Sequence, residues 1–199
     1  MFTGMGMRND NLTAGEPSHT QKKKERYKTM ADFKTLEEAQ AMFREADSTR
    51  EIGNIFVTYK NTNREGFAAG LAGGMAGAGL PGIYVNNRTA EAIIGGNFTG
   101  LLINEIDEGF GLIPLMQKGV QLTLNVDKMV AEPENYMFIS REAITGIKVK
   151  NFAFLNKSTQ AITLELGKPA LHLMARCSLK SVAYQEPNFK LFMDKYKKK

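Results

Sequence analysis

A chain of 199 residues, 43% of them hydrophobic, is long enough for one buried core, and two full domains are not expected in it. Its single cysteine, Cys177, excludes an internal disulfide, and with two histidines it leaves a four-ligand zinc site dependent on many carboxylates. The formal charge of +5 is modest and gathers at the two ends, with no basic stripe carrying interleaved aromatics, so nucleic acid is not an expected partner.

Residues 1–31 mix Gly, Asn, Ser, Thr and charges with almost no periodic apolar positions, the composition of a disordered basic tail or leader. Met30-Ala31-Asp32 looks like a second start. No apolar run of a secretory signal follows Met1, so the expected location is cytoplasmic, and the sequons at Asn11, Asn87, Asn97 and Asn156 carry no weight without export. Thr35 followed by Glu38 is a capping box, and Leu36, Ala39, Met42, Phe43 and Ala46 recur at helical spacing, which predicts a short helix over 35–48 within a segment 32–50. Ile55, Val57 and Tyr59 alternate with Asn54, Phe56 and Thr58 and predict a strand ending at Asn61-Thr62-Asn63.

The Gly/Ala-rich segment 66–82 invites two functional readings. Gly77-Ala78-Gly79-Leu80-Pro81-Gly82 has the spacing of a dinucleotide-binding turn, but small residues rather than a β-branched strand precede it and Pro81 interrupts it, so no cofactor is expected. Gly70 with Gly74, and Gly73 with Gly77, fall at close-packing spacing in a charge-free span from Gly66 to Asn87, yet glycines that each cost a helix about 1 kcal/mol relative to alanine, and Pro81, favour a flexible or closely packed connection over a membrane helix.

From Leu101 the punctuation becomes regular. Leu101 to Ile106 and Phe110 to Leu115 flank Asp107-Glu108-Gly109, a hairpin whose glycine supplies the positive φ of a tight turn. Leu122, Leu124 and Val126 alternate with polar residues, and Ile147 and Val149 alternate with Lys148 and Lys150. Ile162, Leu164 and Leu166 return through Gly167-Lys168-Pro169 as Leu171, Leu173 and Ala175. After Pro187, the residues Phe189, Phe192, Met193 and Tyr196 form the apolar stripe of a terminal helix over 187–197. The expected fold is α+β: a small antiparallel β-barrel or two-sheet roll over 51–199, closed by the C-terminal helix and preceded by a short N-terminal one.

That order of hairpins and then a helix resembles the pleckstrin-homology-like fold. The stretch from Asn97-Phe98-Thr99-Gly100 through Gly109-Phe110-Gly111-Leu112-Ile113-Pro114-Leu115, and Ile139-Ser140-Arg141-Glu142-Ala143-Ile144 ahead of Ile147-Lys148-Val149-Lys150, is similar to bacterial members of that group, over roughly 50–197. The resemblance implies a binding or scaffolding domain without shared catalytic residues. No basic motif for phosphoinositides can be matched to positions here.

The catalytic inventory is poor. His19 lies in the tail, His172 is placed on the outer face of its strand, Cys177 continues the Leu171, Leu173, Ala175 face as a small buried residue, and Glu105, Asp107 and Glu108 cluster at a turn. No catalytic residue and no metal site are expected. The expected function is a non-catalytic module that binds a protein partner or itself. The alternative is peripheral binding to an anionic surface such as acidic lipid, through Lys22, Lys23, Lys24, Arg26, Lys197, Lys198 and Lys199 together with the Gly/Ala-rich segment 66–82. The basic ends, which also include Lys28 and Lys195, are otherwise read as solvated.

Overall fold

Three segments, Asn54–Lys60 (β1), Gly100–Ile106 (β2) and Gly109–Gln117 (β3), carry apolar residues on both faces, which an antiparallel strand tolerates only when both faces are covered. In the computed structural model, which describes residues 32–60, 91–117, 125–153, 156–167 and 169–197, both are. On one face Ile55, Val57, Tyr59, Leu102, Ile113 and Leu115 pack with Ala39, Met42 and Phe43 of helix α1 (Leu36–Ala46). On the other, Phe56, Leu101, Ile103, Phe110 and Leu112 share a core with three later strands and helix α2 (Gln185–Tyr196). Those strands are β6 (Gly146–Ala153), β7 (Asn156–Glu165) and β8 (Ala170–Arg176), and they contribute Val149, Ile162, Leu164, Leu171, Leu173 and Ala175.

Among the described residues eight strands form one antiparallel sheet in the order β4-β3-β2-β1-β8-β7-β6, where β4 is Met129–Ala131 and β5 (Met137–Ser140) shares the outer edge of β3 with it. The expected closure into a barrel is not found. Among the described residues β6 pairs with β7 alone, and neither β4 nor β5 reaches it. Helix α2 touches both β1 and β6, and its Phe189 and Phe192, fully buried, fill the interior between the two halves of the sheet with ring contacts. The architecture is therefore an open antiparallel sheet with a C-terminal helix, in the α+β class.

Local chemistry sets the elements much as their residues require. Thr35 Oγ1 accepts from the Glu38 backbone N–H at 3.2 Å and the Glu38 carboxylate accepts from the Thr35 N–H at 3.0 Å, the reciprocal cap that starts α1. The β2–β3 hairpin turns on Asp107-Glu108, with Ile106 opposite Gly109. Gly109 has a φ of 152°, and a Cβ there would sit 2.1 Å from the Ile139 carbonyl oxygen of β5, so glycine serves the turn and the approach of a neighbouring strand together. The terminal helix begins two residues earlier than the proline suggested, at Gln185.

Three smaller expectations are corrected. Val126 opens a 3₁₀ turn (Val126–Lys128) instead of ending a strand, because the Asn125 side chain caps it by accepting from the Asp127 N–H at 2.9 Å. Cys177 is only partly buried, lying just past the end of β8, where its thiol meets the Lys157 carbonyl oxygen at 3.5 Å. Glu105 belongs to β2 and not to the turn, and is buried. The Gly/Ala-rich segment 66–82, Leu122, Leu124 and the tail 1–31 lie outside the described residues. Among those described, no helix is long and apolar enough to cross a membrane.

Candidate functional site

Because β6 ends the sheet, one row of its backbone N–H and C=O groups has no ladder partner among the described residues. A groove of about 380 Å³ follows this edge, lined by Gly146, Ile147, Lys148, Val149, Lys150 and, from the last turn of α2, Tyr196. The pleat sorts these side chains. Ile147, Val149 and Tyr196 belong to the interior core side, whereas Lys148 and Lys150 are exposed on the opposite side. Lys148 Nζ is ion-paired with Glu165 of the adjoining β7.

Three consecutive residues at the end of α2 fix the wall of this groove. Lys195 Nζ faces Glu105 Oε1 of β2 at 3.0 Å, and the carboxylate is nearly out of solvent, with 5% of its side chain exposed. The hydrogen bond with that carboxylate raises the Lys195 pKa above its ordinary value. The Tyr196 hydroxyl accepts from Arg141 Nη1 at 3.2 Å, and its pKa is raised by burial first and by the nearby Glu105 second. Lys197 Nζ donates to Asn151 Oδ1 of β6 at 2.8 Å and to Gln160 Oε1 of β7 at 2.9 Å. The helix end is thus tied to β2, to the turn after β5 and to the β6–β7 pair.

These contacts change the reading of the basic C-terminus. Lys195, half of whose side chain stays in solvent, and Lys197 each have the ammonium beside side chains of the sheet. Of the candidate anionic-surface set, Lys197 is the one described residue, while Lys22, Lys23, Lys24, Arg26, Lys198 and Lys199 lie outside the described residues. His172 is half-buried on β8 with its Nδ1 3.2 Å from the Thr163 hydroxyl, away from the groove. Asp107 and Glu108 are exposed in the turn, and Glu105 parts from them to join Lys195.

In the sequence Lys148 and Lys150 form a wet face and Tyr196 belongs to a core stripe, and no local spacing brings them together. Lysines on one face of a strand are among the devices that guard a sheet edge, and the Lys148 and Lys150 pair is the one local hint of an edge at β6. Comparisons with family models, with curated proteins and with solved structures each find no match for the chain.

Proposed function

We propose that the chain is a non-catalytic interaction module of the pleckstrin-homology-like type that binds an extended segment of a protein partner along the outer edge of β6, beside the end of α2. The observation that carries this reading is the groove itself: a strand edge whose backbone groups have no ladder partner among the described residues, walled by an aromatic residue at a helix end whose three last side chains hold to three other elements. Strand addition draws its affinity from main-chain hydrogen bonds and its selectivity from alternate side chains, and this edge offers both. The order of hairpins followed by a terminal helix supports the fold reading.

Other surface features favour an edge over an apolar patch. Leu191, 62% exposed, is the one large hydrophobic side chain left in water among the described residues, and a single exposed leucine is ordinary. The ion pairs Lys60–Glu91, at 2.7 Å, and Lys195–Glu105, each with one buried partner, join separate parts of the chain, a structural use of charge that supports the non-catalytic reading. Of the basic set read for adsorption to an anionic surface, the one described member, Lys197, has its ammonium held by two amide side chains.

A photo-crosslinking residue placed at Lys150 tests the reading, with one at Glu186, exposed at the other end of α2, as control. A discrete adduct with one protein from position 150 and not from 186 is expected. Equal adducts at both positions, or none at 150, would overturn it.

A further inference from the structure

The charges on the groove indicate what kind of segment fits. We infer that the β6 edge takes an extended acidic segment of a different protein, with apolar and acidic residues in alternation, and this rests on the reading of the groove as a site of strand addition. A strand added to β6 continues its pleat, so residues opposite Ile147 and Val149 lie on the side of Tyr196, and residues opposite Lys148 and Lys150 lie on the side of the two ammonium groups. The first set meets apolar and aromatic surface. The second meets the only charged side chains that line the groove among the described residues, both positive. Lys148 shares its charge with Glu165, and Lys150 has no carboxylate at ion-pair distance among the described residues.

The same charges argue against a second copy of this chain. Two β6 edges paired antiparallel about Val149 would set Lys148 of each copy opposite Lys150 of the other, and like charges directly opposite destabilise a cross-strand pair. Registers centred on Lys148 or Lys150 set a lysine against itself. An acidic partner converts the same two positions from repulsive to attractive, a difference that selects between partners as well as strengthening one.

The test is a residue-resolved NMR titration of the full chain with three nine-residue peptides in which valine alternates with glutamate, threonine or lysine. The glutamate peptide is expected to shift and protect amides of residues 146–150 and to bind roughly tenfold tighter than the threonine peptide at low salt, the size of two cross-strand charge pairs. Added salt should shrink that advantage. In the Lys148→Glu, Lys150→Glu double variant, both changes being on exposed side chains, the preference should pass to the lysine peptide. Equal binding of the glutamate and threonine peptides, both at β6, would overturn the acidic selection while leaving strand addition intact. If none of the peptides perturbed residues 146–150, strand addition would fail as well, and the lysines would be guards that keep the edge unpaired. Protection of those amides that grew with protein concentration alone would assign the edge to a second copy and overturn the inference.

Discussion

The side-chain amide of Gln185 satisfies both backbone groups of Val57: its Oε1 accepts from the Val57 N–H at 2.7 Å, and its Nε2 donates to the Val57 carbonyl oxygen at 3.1 Å. The reason lies in the sheet. Strand β8 pairs with β1 only at Tyr59 and Lys60, which leaves the rest of that flank of β1 to the first turn of α2. Gln185 Nε2 also donates to the Arg176 carbonyl oxygen at 2.8 Å, and Asn188 Nδ2 donates to that of Ile55 at 2.8 Å. A buried glutamine here stands where a strand would otherwise have been needed.

Gln185→Ala should therefore cost about 2–4 kcal/mol, because it strands a buried donor and buried acceptors. Gln185→Glu should be at least as damaging, since a carboxylate can accept from Val57 but cannot donate to either carbonyl. Urea unfolding measures both, and a change in Gln185→Ala too small to resolve would show that the helix start does not support β1.

Phe192 is fully buried, with ring centroids 4.7 Å from Phe56 and 5.9 Å from Phe189. Phe192→Ala is expected to cost about 3–5 kcal/mol, a large share of the stability of a domain this size. Thermal unfolding reports it directly, and an unchanged midpoint would mean that α2 is peripheral to the core.

Burial pushes the Tyr59 phenol up from 10.0 to about 12, and burial raises that of Tyr184 as well. The folded state holds these protons more tightly than the unfolded chain does. The stability they contribute is therefore complete below about pH 10 and is lost as the pH climbs through 10 towards 12. At about 1.4 kcal/mol per unit, Tyr59 alone withdraws roughly 2–3 kcal/mol across that window. Urea midpoints at pH 8, 10 and 11 should fall accordingly, and Tyr59→Phe should flatten the profile.

Lys197→Ala is expected to lower stability by about 1 kcal/mol through loss of its bonds to Asn151 and Gln160, and to leave co-sedimentation with anionic vesicles unaltered. Unchanged stability with weakened vesicle binding would return Lys197 to the surface role first read from its charge.

Much of the fold was legible where a pattern is local. The capping box at Thr35 and Glu38, the turns at Asp107-Glu108-Gly109 and Gly167 to Pro169, and the stripe of Phe189 and Phe192 each depend on residues a few positions apart. What could not be read was the long-range pairing. Nothing local in Gln185 distinguishes an exposed glutamine ahead of a proline from one inserted into a sheet 128 residues away. The open sheet follows from the same cause: alternation shows which face of β6 is wet, but not that its far side lacks a neighbour. Glu105 sits two residues from Asp107 in sequence, which places both at the turn by local spacing, whereas the pleat of β2 turns Glu105 towards Lys195.

Residue-resolved hydrogen exchange on the free chain tests the open β6 edge most directly. Within residues 146–152, the amides that bond to β7 should be protected and those between them should exchange at rates near those of loops, a period-two pattern absent from the doubly flanked β2. Uniform protection along β6, equal to that of β2, would show that the edge is already covered and would contradict a binding site there.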